Sequence, residues 1–286
     1  GSTFTPPGDS VPSRNQGYAQ YGRVNLIEAT AKSINTAFVD LTTRMKGGGE
    51  KVAKAAEDAG APRGAGWNTK TSRIALGIAE VSPLNMAGAY STFANNGRAI
   101  PPHVVQEVFD ANGRSIYKAD TQGVQAFDQG VARDVTYAMQ NVVEEGTGAR
   151  VAALGRPVAG KTGTAGLDGD IISAWFIAYT PQITTSVMWV AADEGMGGLD
   201  TYKRPGDSTF FGGTYPAMTW VDYMQTAVKG TPVEQFDPPA FVNGGRVARP
   251  RPTRTAPPTF TPAPAPSPIE TVEPQIEEQP LGDQNG

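Results

Sequence analysis

"GRPVAGKTGTAG", Gly155 to Gly166, satisfies two incompatible signatures at once. One is the phosphate-loop pattern G-x-x-x-x-G-K-[ST], in which a strand feeds a glycine loop into a helix whose free N–H groups and dipole hold phosphate. The other is a K-T-G strand that presents Lys161, Thr162 and Thr164 along the rim of a cleft, with Gly163 where a ligand backbone must approach closely. The flanking residues discriminate between them. After Thr162 the chain reads "GTAGLDGD". Each of those glycines costs a helix about 1 kcal/mol, so no stable helix starts there. The preceding run, "GTGARVAAL", is a poor buried strand. Only "SVMWVAAD", an apolar run ending in an acid that could hold magnesium, favours the nucleotide reading. "PVAGKTGTA" followed by the apolar runs "AWFIAYT" and "VMWVAA" fits a sheet edge instead. Period-two alternation then turns Lys161 and Gly163 to one face and Thr162 and Thr164 to the other, unless a bulge or twist re-aims them.

A second short element lies upstream. "AKSINTAF" places Ser33 and Asn35 in an S-x-N arrangement. Residues two apart do not share a helix face, so both reach one cleft only if the helix breaks near Ser33 or they flank its apolar stripe. Ser33 or Asn35 acting as an N-cap would supply the break. The competing expectation is one amphipathic helix, because Ile27, Ala31, Ile34, Phe38 and Leu41 recur at helical spacing.

Elsewhere the punctuation is local. The first 22 residues are turn-rich and read as an irregular arm. "GEKVAKAAEDAG" reads as a helix ended by Gly60, and "SPLNMAGAYSTFANNG" as one capped by Ser82, opened by Pro83 and followed by Gly97. "VVQEVFDANGRSIYK" predicts a hairpin about Asp110 to Gly113, and "DQGVARDVTYAMQNVVEEG" a helix. Two strands with Pro181 in the turn between them follow Lys161, and "YPAMTWVDYMQTAVKG" closes the core as a helix whose aromatic and Met positions pack inward. There is no internal repeat. Helices around adjacent antiparallel strands predict an α+β fold.

Composition narrows the chemistry. A net charge of -4 leaves no electrostatic footprint for nucleic acid. The basic run Arg246 to Arg254 reads as a solvated linker. With no cysteine and a single histidine, His103, the chain has little for a metal cluster or a Ser-His-Asp triad, so any nucleophile needs a base other than imidazole. His103, in "AIPPHVV", reads as an ordinary half-buried or surface histidine at the start of a strand. No stretch approaches 18 consecutive apolar residues. The opening Gly-Ser reads as a cloning scar on an excised fragment, from which an anchor or signal could have been cut. Nine of the 24 prolines lie between Pro250 and Pro274, which predicts a disordered, partly polyproline tail.

Three runs carry a family resemblance: "AEVSPLNMAGAYSTFANNGRAIPPHVVQEV", "EEGTGARVAALGRPVAGKTGTAG" and "SAWFIAYTPQITTSVMWVA". Over roughly Gly17 to Gly230 the chain resembles the transpeptidase domain of class A penicillin-binding proteins. That resemblance implies an α/β-type sandwich, with a mostly antiparallel sheet flanked by helices, as in serine β-lactamases and D,D-peptidases. The expected organisation is an arm over 1–22, the domain over 23–237 and a Pro-rich tail over 238–286. The implied activity is peptidoglycan D,D-transpeptidation at the outer face of the bacterial cytoplasmic membrane. Its partners are the D-Ala-D-Ala stem peptide and β-lactams, with cell-wall synthesis proteins as candidate partners of the tail. No cofactor or metal is implied.

In that family the nucleophile belongs to S-x-x-K, whose lysine is the base. No convincing copy occurs here: "STFT", Ser2 to Thr5, imitates the motif with threonine in the lysine's place. The expectation is that nucleophile and base were lost with an N-terminal part, together with a glycosyltransferase domain and a membrane anchor. The roles implied for matching residues are proton relay for Ser33, binding of the substrate amide for Asn35, and support of the relay with positive potential for Lys161. Thr162 and Thr164 grip the terminal carboxylate, and the Thr164 N–H is an oxyanion donor. Rival readings are a β-lactamase or β-lactam sensor of the same fold, or a catalytically silent module that binds peptidoglycan or a partner.

Overall fold

The computed structural model describes residues 1–242, apart from 65, 168, 169, 193, 194, 196 and 208. The arm carries two-residue strands β1 (Thr3–Phe4) and β2 (Ser13–Arg14), paired antiparallel. Helices α1 (Leu26–Ala31), α2 (Asn35–Arg44), α3 (Gly48–Ala59) and α4 (Pro83–Ala94) follow. A short β3 (Arg98–Ala99) pairs with β6 (Val124–Gln125), and between them lies the hairpin of β4 (Glu107–Phe109) and β5 (Ser115–Lys118). The long α5 (Gln129–Glu144) leads to β7 (Ala159–Leu167), β8 (Asp170–Tyr179) and β9 (Thr184–Val190), and α6 (Tyr215–Ala227) closes the core.

Local chemistry accounts for most boundaries. Ser82 caps α4 by accepting the Asn85 N–H at 3.2 Å, with Pro83 at the first helical position. Asp128 caps α5 by accepting the Gly130 N–H at 2.7 Å. Gly60, at φ 114°, ends α3 in a left-handed conformation that glycine adopts without steric cost. In the hairpin turn the Asp110 carboxylate accepts from both Asn112 N and Arg114 N at 2.9 Å.

The central sheet is three-stranded and antiparallel in the order β7-β8-β9, so β7 is a terminal strand. Both faces of β8 are covered. On one, Phe176 and Ala178 meet Trp220, Val221 and Met224 of α6, and Phe176 and Trp220 make an edge-on ring contact with centroids 5.7 Å apart. On the other, Tyr179 packs with Ala159 and Met139 beneath α4 and α5. The Trp220 indole N–H reaches the Ala178 and Thr185 carbonyls, so this large ring is buried with its one polar atom satisfied. The outcome is the mixed α+β architecture of antiparallel sheet between helices.

Several expectations change on contact with the structure. The single amphipathic helix over 27–41 is two helices, and the break shifts the phase: α2 buries Thr36, Val39 and Thr42, while Leu41 is exposed. His103 is exposed in an irregular stretch, its ring bonded to the Pro101 carbonyl at 3.0 Å, and no strand begins until Glu107. Pro101 and Pro102, just before His103, donate no N–H and so add nothing to a ladder. The arm is irregular but tied down. Arg73 bridges to Asp9 at 3.0 Å and also donates to Ser13 and the Val11 carbonyl. Residues 238–242, assigned to the tail on composition, lie against α5, where Asp134 accepts the N–H groups of Ala240, Phe241 and Val242 at 2.7–2.9 Å. The remainder of the expected tail lies outside the described residues. Among the described residues no helix is long and apolar enough to cross a membrane.

The packing between α6 and the sheet sets a stability expectation. Trp220→Ala deletes a fully buried ring from the largest apolar cluster. It should cost about 3–5 kcal/mol, read as a lower denaturant midpoint at unchanged slope.

Candidate active site

The site begins with the end of α1. Asn25 caps the start of this helix by accepting the Glu28 N–H at 2.8 Å. At its end Ser33 adopts φ 54°, its N–H donates to the Thr30 carbonyl at 3.2 Å, and the Ile34 N–H donates to the Ala29 carbonyl at 2.9 Å. These two crossed bonds form a Schellman motif with serine in the left-handed position that usually holds glycine. A non-glycine residue there costs about 1–3 kcal/mol and persists only where its surroundings impose it. Here the anchor is Ile34, 2% exposed, which follows directly. The break therefore comes from a helix C-terminus, with neither Ser33 nor Asn35 acting as an N-cap; Ile34 occupies that position of α2 and supplies no side-chain cap.

The missing cap comes from the arm. Asn15, 4% exposed, accepts the Thr36 N–H at 3.0 Å. Its own amide donates to the Gly1 and Ala19 carbonyls. Next to it, Asn35 Nδ2 donates to the Arg14 carbonyl at 2.8 Å. The arm thus holds both the start of α2 and the amide orientation of Asn35.

From the sheet, β7 brings Lys161 to the same place. Its Nζ donates to Ser33 Oγ at 2.7 Å and to the Thr162 carbonyl at 3.1 Å, joining residues 128 positions apart in the chain. No ion pair found among the described residues includes Lys161. Burial disfavours the ammonium and pushes its pKa down to about 8.

Alternation holds along this stretch. Lys161 faces the helical layer, while the Thr162 hydroxyl lies 2.7 Å from the Thr147 hydroxyl and Thr164 Oγ1 accepts the Gly212 N–H at 3.2 Å. The bulge of β7 comes later, between Ala165 and Gly166. A groove of about 940 Å³ runs past Ser33, Asn35 and all four residues Lys161 to Thr164, and continues over an apolar floor that includes Leu26, Phe38 and Met139.

All six residues singled out from the sequence, Ser33, Asn35, Lys161, Thr162, Gly163 and Thr164, line this one groove. The phosphate-loop alternative is overturned, because the chain runs on as strand from Ala159 to Leu167 with no helix at its end. One formal S-x-x-K match, Ser115 to Lys118, is the exposed strand β5. Three residues apart on a strand, its serine and lysine point to opposite faces. Among the described residues no cluster of His, Asp and Glu could hold a metal ion. Sequence reading missed Asn15, whose partner is 21 residues away, and Thr147, visible only as part of the turn "EGTG".

Comparison with known proteins bears on the family and the fold. Residues 2–203 match the family model described as the penicillin binding protein transpeptidase domain. Penicillin-binding protein 1A of Mycolicibacterium smegmatis is 32% identical over 277 residues, covering 91% of this chain and 34% of the relative. Penicillin-binding protein 1A of Mycobacterium tuberculosis is 34% identical over 241 residues, covering 78% and 28%. The chain thus spans about a third of the length of these relatives. The solved structure of the penicillin-binding protein PonA1 from Mycobacterium tuberculosis superposes with a TM-score of 0.74 at 30% identity, covering 92% of this chain and 70% of that one. The same protein in complex with penicillin V gives 0.70 at 31% identity, covering 82% and 64%. A terminal K-T-G strand, an S-x-N turn held against it and these matches lead to one assignment: the chain belongs to the penicillin-binding protein transpeptidase domain family.

Proposed function

We propose that this chain contributes the S-x-N and K-T-G parts of a D,D-transpeptidase site, which cross-links D-Ala-D-Ala stem peptides through an acyl-serine and is blocked by β-lactams. The observation that carries the reading is the 2.7 Å bond from Lys161 Nζ to Ser33 Oγ beside a terminal strand. An amine whose pKa is near 8 exchanges its proton readily near neutral pH. Lys161 therefore holds the Ser33 hydroxyl as a relay that passes a proton to the departing D-alanine amine. Asn35, with Nδ2 committed to Arg14, keeps Oδ1 as acceptor for the substrate amide N–H. Thr162 and Thr164 take the terminal carboxylate. The stem peptide adds to the edge of β7 by backbone pairing, and the Thr164 N–H faces the developing oxyanion.

The nucleophile comes from an S-x-x-K segment outside these residues. The groove supports that reading: its apolar floor suits the buried side of a helix, and a helix brings residues three apart to one face, where serine and lysine would meet Lys161 and Ser33. Such a substrate places the site at the outer face of the bacterial cytoplasmic membrane.

Intact-mass spectrometry after incubation with penicillin V tests this reading. No adduct is expected on the 286-residue chain, and one adduct is expected on a longer chain that carries an S-x-x-K helix ahead of it. Absence of an adduct on both would favour the silent binding module.

The titration of Lys161 gives an independent test. Its folded pKa, about 8, lies below the ordinary 10.5, so between those values the unfolded chain holds a proton that the folded chain lacks. Stability should therefore rise with pH across that window, and the penalty should be full below it. Lys161→Met should flatten the rise between about pH 7.5 and about pH 9.5 in denaturant titrations, a range below the titration of the tyrosines.

A further inference from the structure

We infer that Asp134 is a positioning residue of the same site: it holds the strap of residues 238–242 so that Phe241 and Val242 form a wall of the groove that seats the nucleophile-bearing helix. The inference rests on the reading above and adds a segment that lies outside the S-x-N and K-T-G motifs. The Asp134 carboxylate accepts three successive backbone N–H groups, Oδ1 from Ala240 at 2.8 Å and from Phe241 at 2.7 Å, and Oδ2 from Val242 at 2.9 Å. Hydrogen bonds to a carboxylate are stronger than those between neutral groups. Successive N–H groups turn toward one anion where the backbone passes through the left-handed region, and Phe241 supplies that passage at φ 52°.

Two residues at this spot work against their own backbone, and both choices favour the wall. A bulky side chain in the left-handed region is unfavourable, and glycine would fit Phe241's backbone more easily. What phenylalanine adds is its ring, which meets Tyr137 edge-on with centroids 6.0 Å apart and lines the groove. Gly130 weakens the first turn of α5, yet a Cβ there would lie 2.5 Å from Val242 Cγ1 and 3.1 Å from Ala240 Cβ. The helix thus lacks a side chain at the point where the strap lies down. Upstream, Phe236 packs edge-on against Tyr179 with centroids 5.6 Å apart, so the strap is fixed at both ends. Asp134 and Tyr137 of α5, Phe241 and Val242 of the strap, and Lys161 of β7 all line the one groove. Phe241 is half-buried and Val242 is 46% exposed, apolar surface that gains cover when a helix lies against it. Such a helix meets α5 and the strap together, and two walls fix its position where one would let it shift.

The test is the time course of acylation by penicillin V in the longer chain that carries the S-x-x-K helix. Asp134→Ala should lower the limiting acylation rate about tenfold, because small displacements of a reacting group cost rate steeply. The half-saturating concentration should change little, since the amine and hydroxyls of β7 stay in place. Asp134→Asn keeps an acceptor oxygen and should recover part of the rate. Ending the chain after Pro239 should reproduce the loss, and ending it after Gly245 should not. Asp134→Ala should add nothing to the chain that ends at Pro239, because the residues through which it acts are gone. Amide exchange in the 286-residue chain supplies a readout without acylation: Asp134→Ala should expose the N–H groups of Ala240, Phe241 and Val242 and leave those of α5 and β7 protected. Full-rate acylation with those three amides exposed would overturn the inference and leave the site reading standing. So would slow acylation with the three still protected, or equal loss in both truncations. A wild-type longer chain that takes no adduct would overturn the site reading and the inference with it.

Discussion

A backbone reversal at Ser33 is the constraint on which the site depends. Left-handed backbone at a serine is unfavourable, and the surrounding interactions offset it: the two crossed bonds that close α1 and the burial of Ile34 in the next position. A continuous helix would put Ser33 and Asn35 about 200° apart around its axis, so one would face away from the sheet. The reversal ends one helix and starts another at a new angle. That lets Ser33 Oγ reach Lys161 while Asn35, at the first position of α2, reaches the arm.

Much of the support comes from segments that contribute little to the core. The arm caps α2 through Asn15, and the turn after α5 bonds to the last carbonyl of α1. Both link the helical layer to a site whose other half lies on the sheet. Lys161 is then placed where it gains hydrogen bonds to a hydroxyl and a carbonyl but no neutralising carboxylate among the described ion pairs. An ion pair would have favoured the charged amine and opposed the downward shift of its pKa.

Legibility from the sequence follows the range of the interactions. Caps and turns whose chemistry is local, such as Ser82 with Pro83, Gly60 and Asp110, were readable because each signal and its partner lie within a few residues. The K-T-G strand was readable because glycine spacing excluded a helix. Ser33 and Asn35 were recognisable as a motif, but the way the helix breaks was not, since serine carries no strong signal for a left-handed C-terminus. The apolar spacing of Ile27 to Leu41 pointed to one helix, and only long-range burial of Ile34 and Val39 reveals the phase change. Asn15 and Thr147 were invisible for the same reason: their partners, Thr36 and Thr162, are 21 and 15 residues away.

The alternation of β7 restricts how any ligand can use the site. Lys161 reaches toward the helical layer, whereas the Thr162 and Thr164 hydroxyls lie on the opposite side with Thr147 and Gly212. A body resting over one face of the sheet would meet only the amine or only the hydroxyls. An extended backbone lying along the free margin of β7 reaches both, and a terminal strand offers that margin. Pairing there also fixes register, since a slip of one residue would exchange the faces that a bound strand turns toward the amine and the hydroxyls. The same edge that would be an aggregation liability in an ordinary sheet is thus the margin along which a single extended strand would meet both amine and hydroxyls.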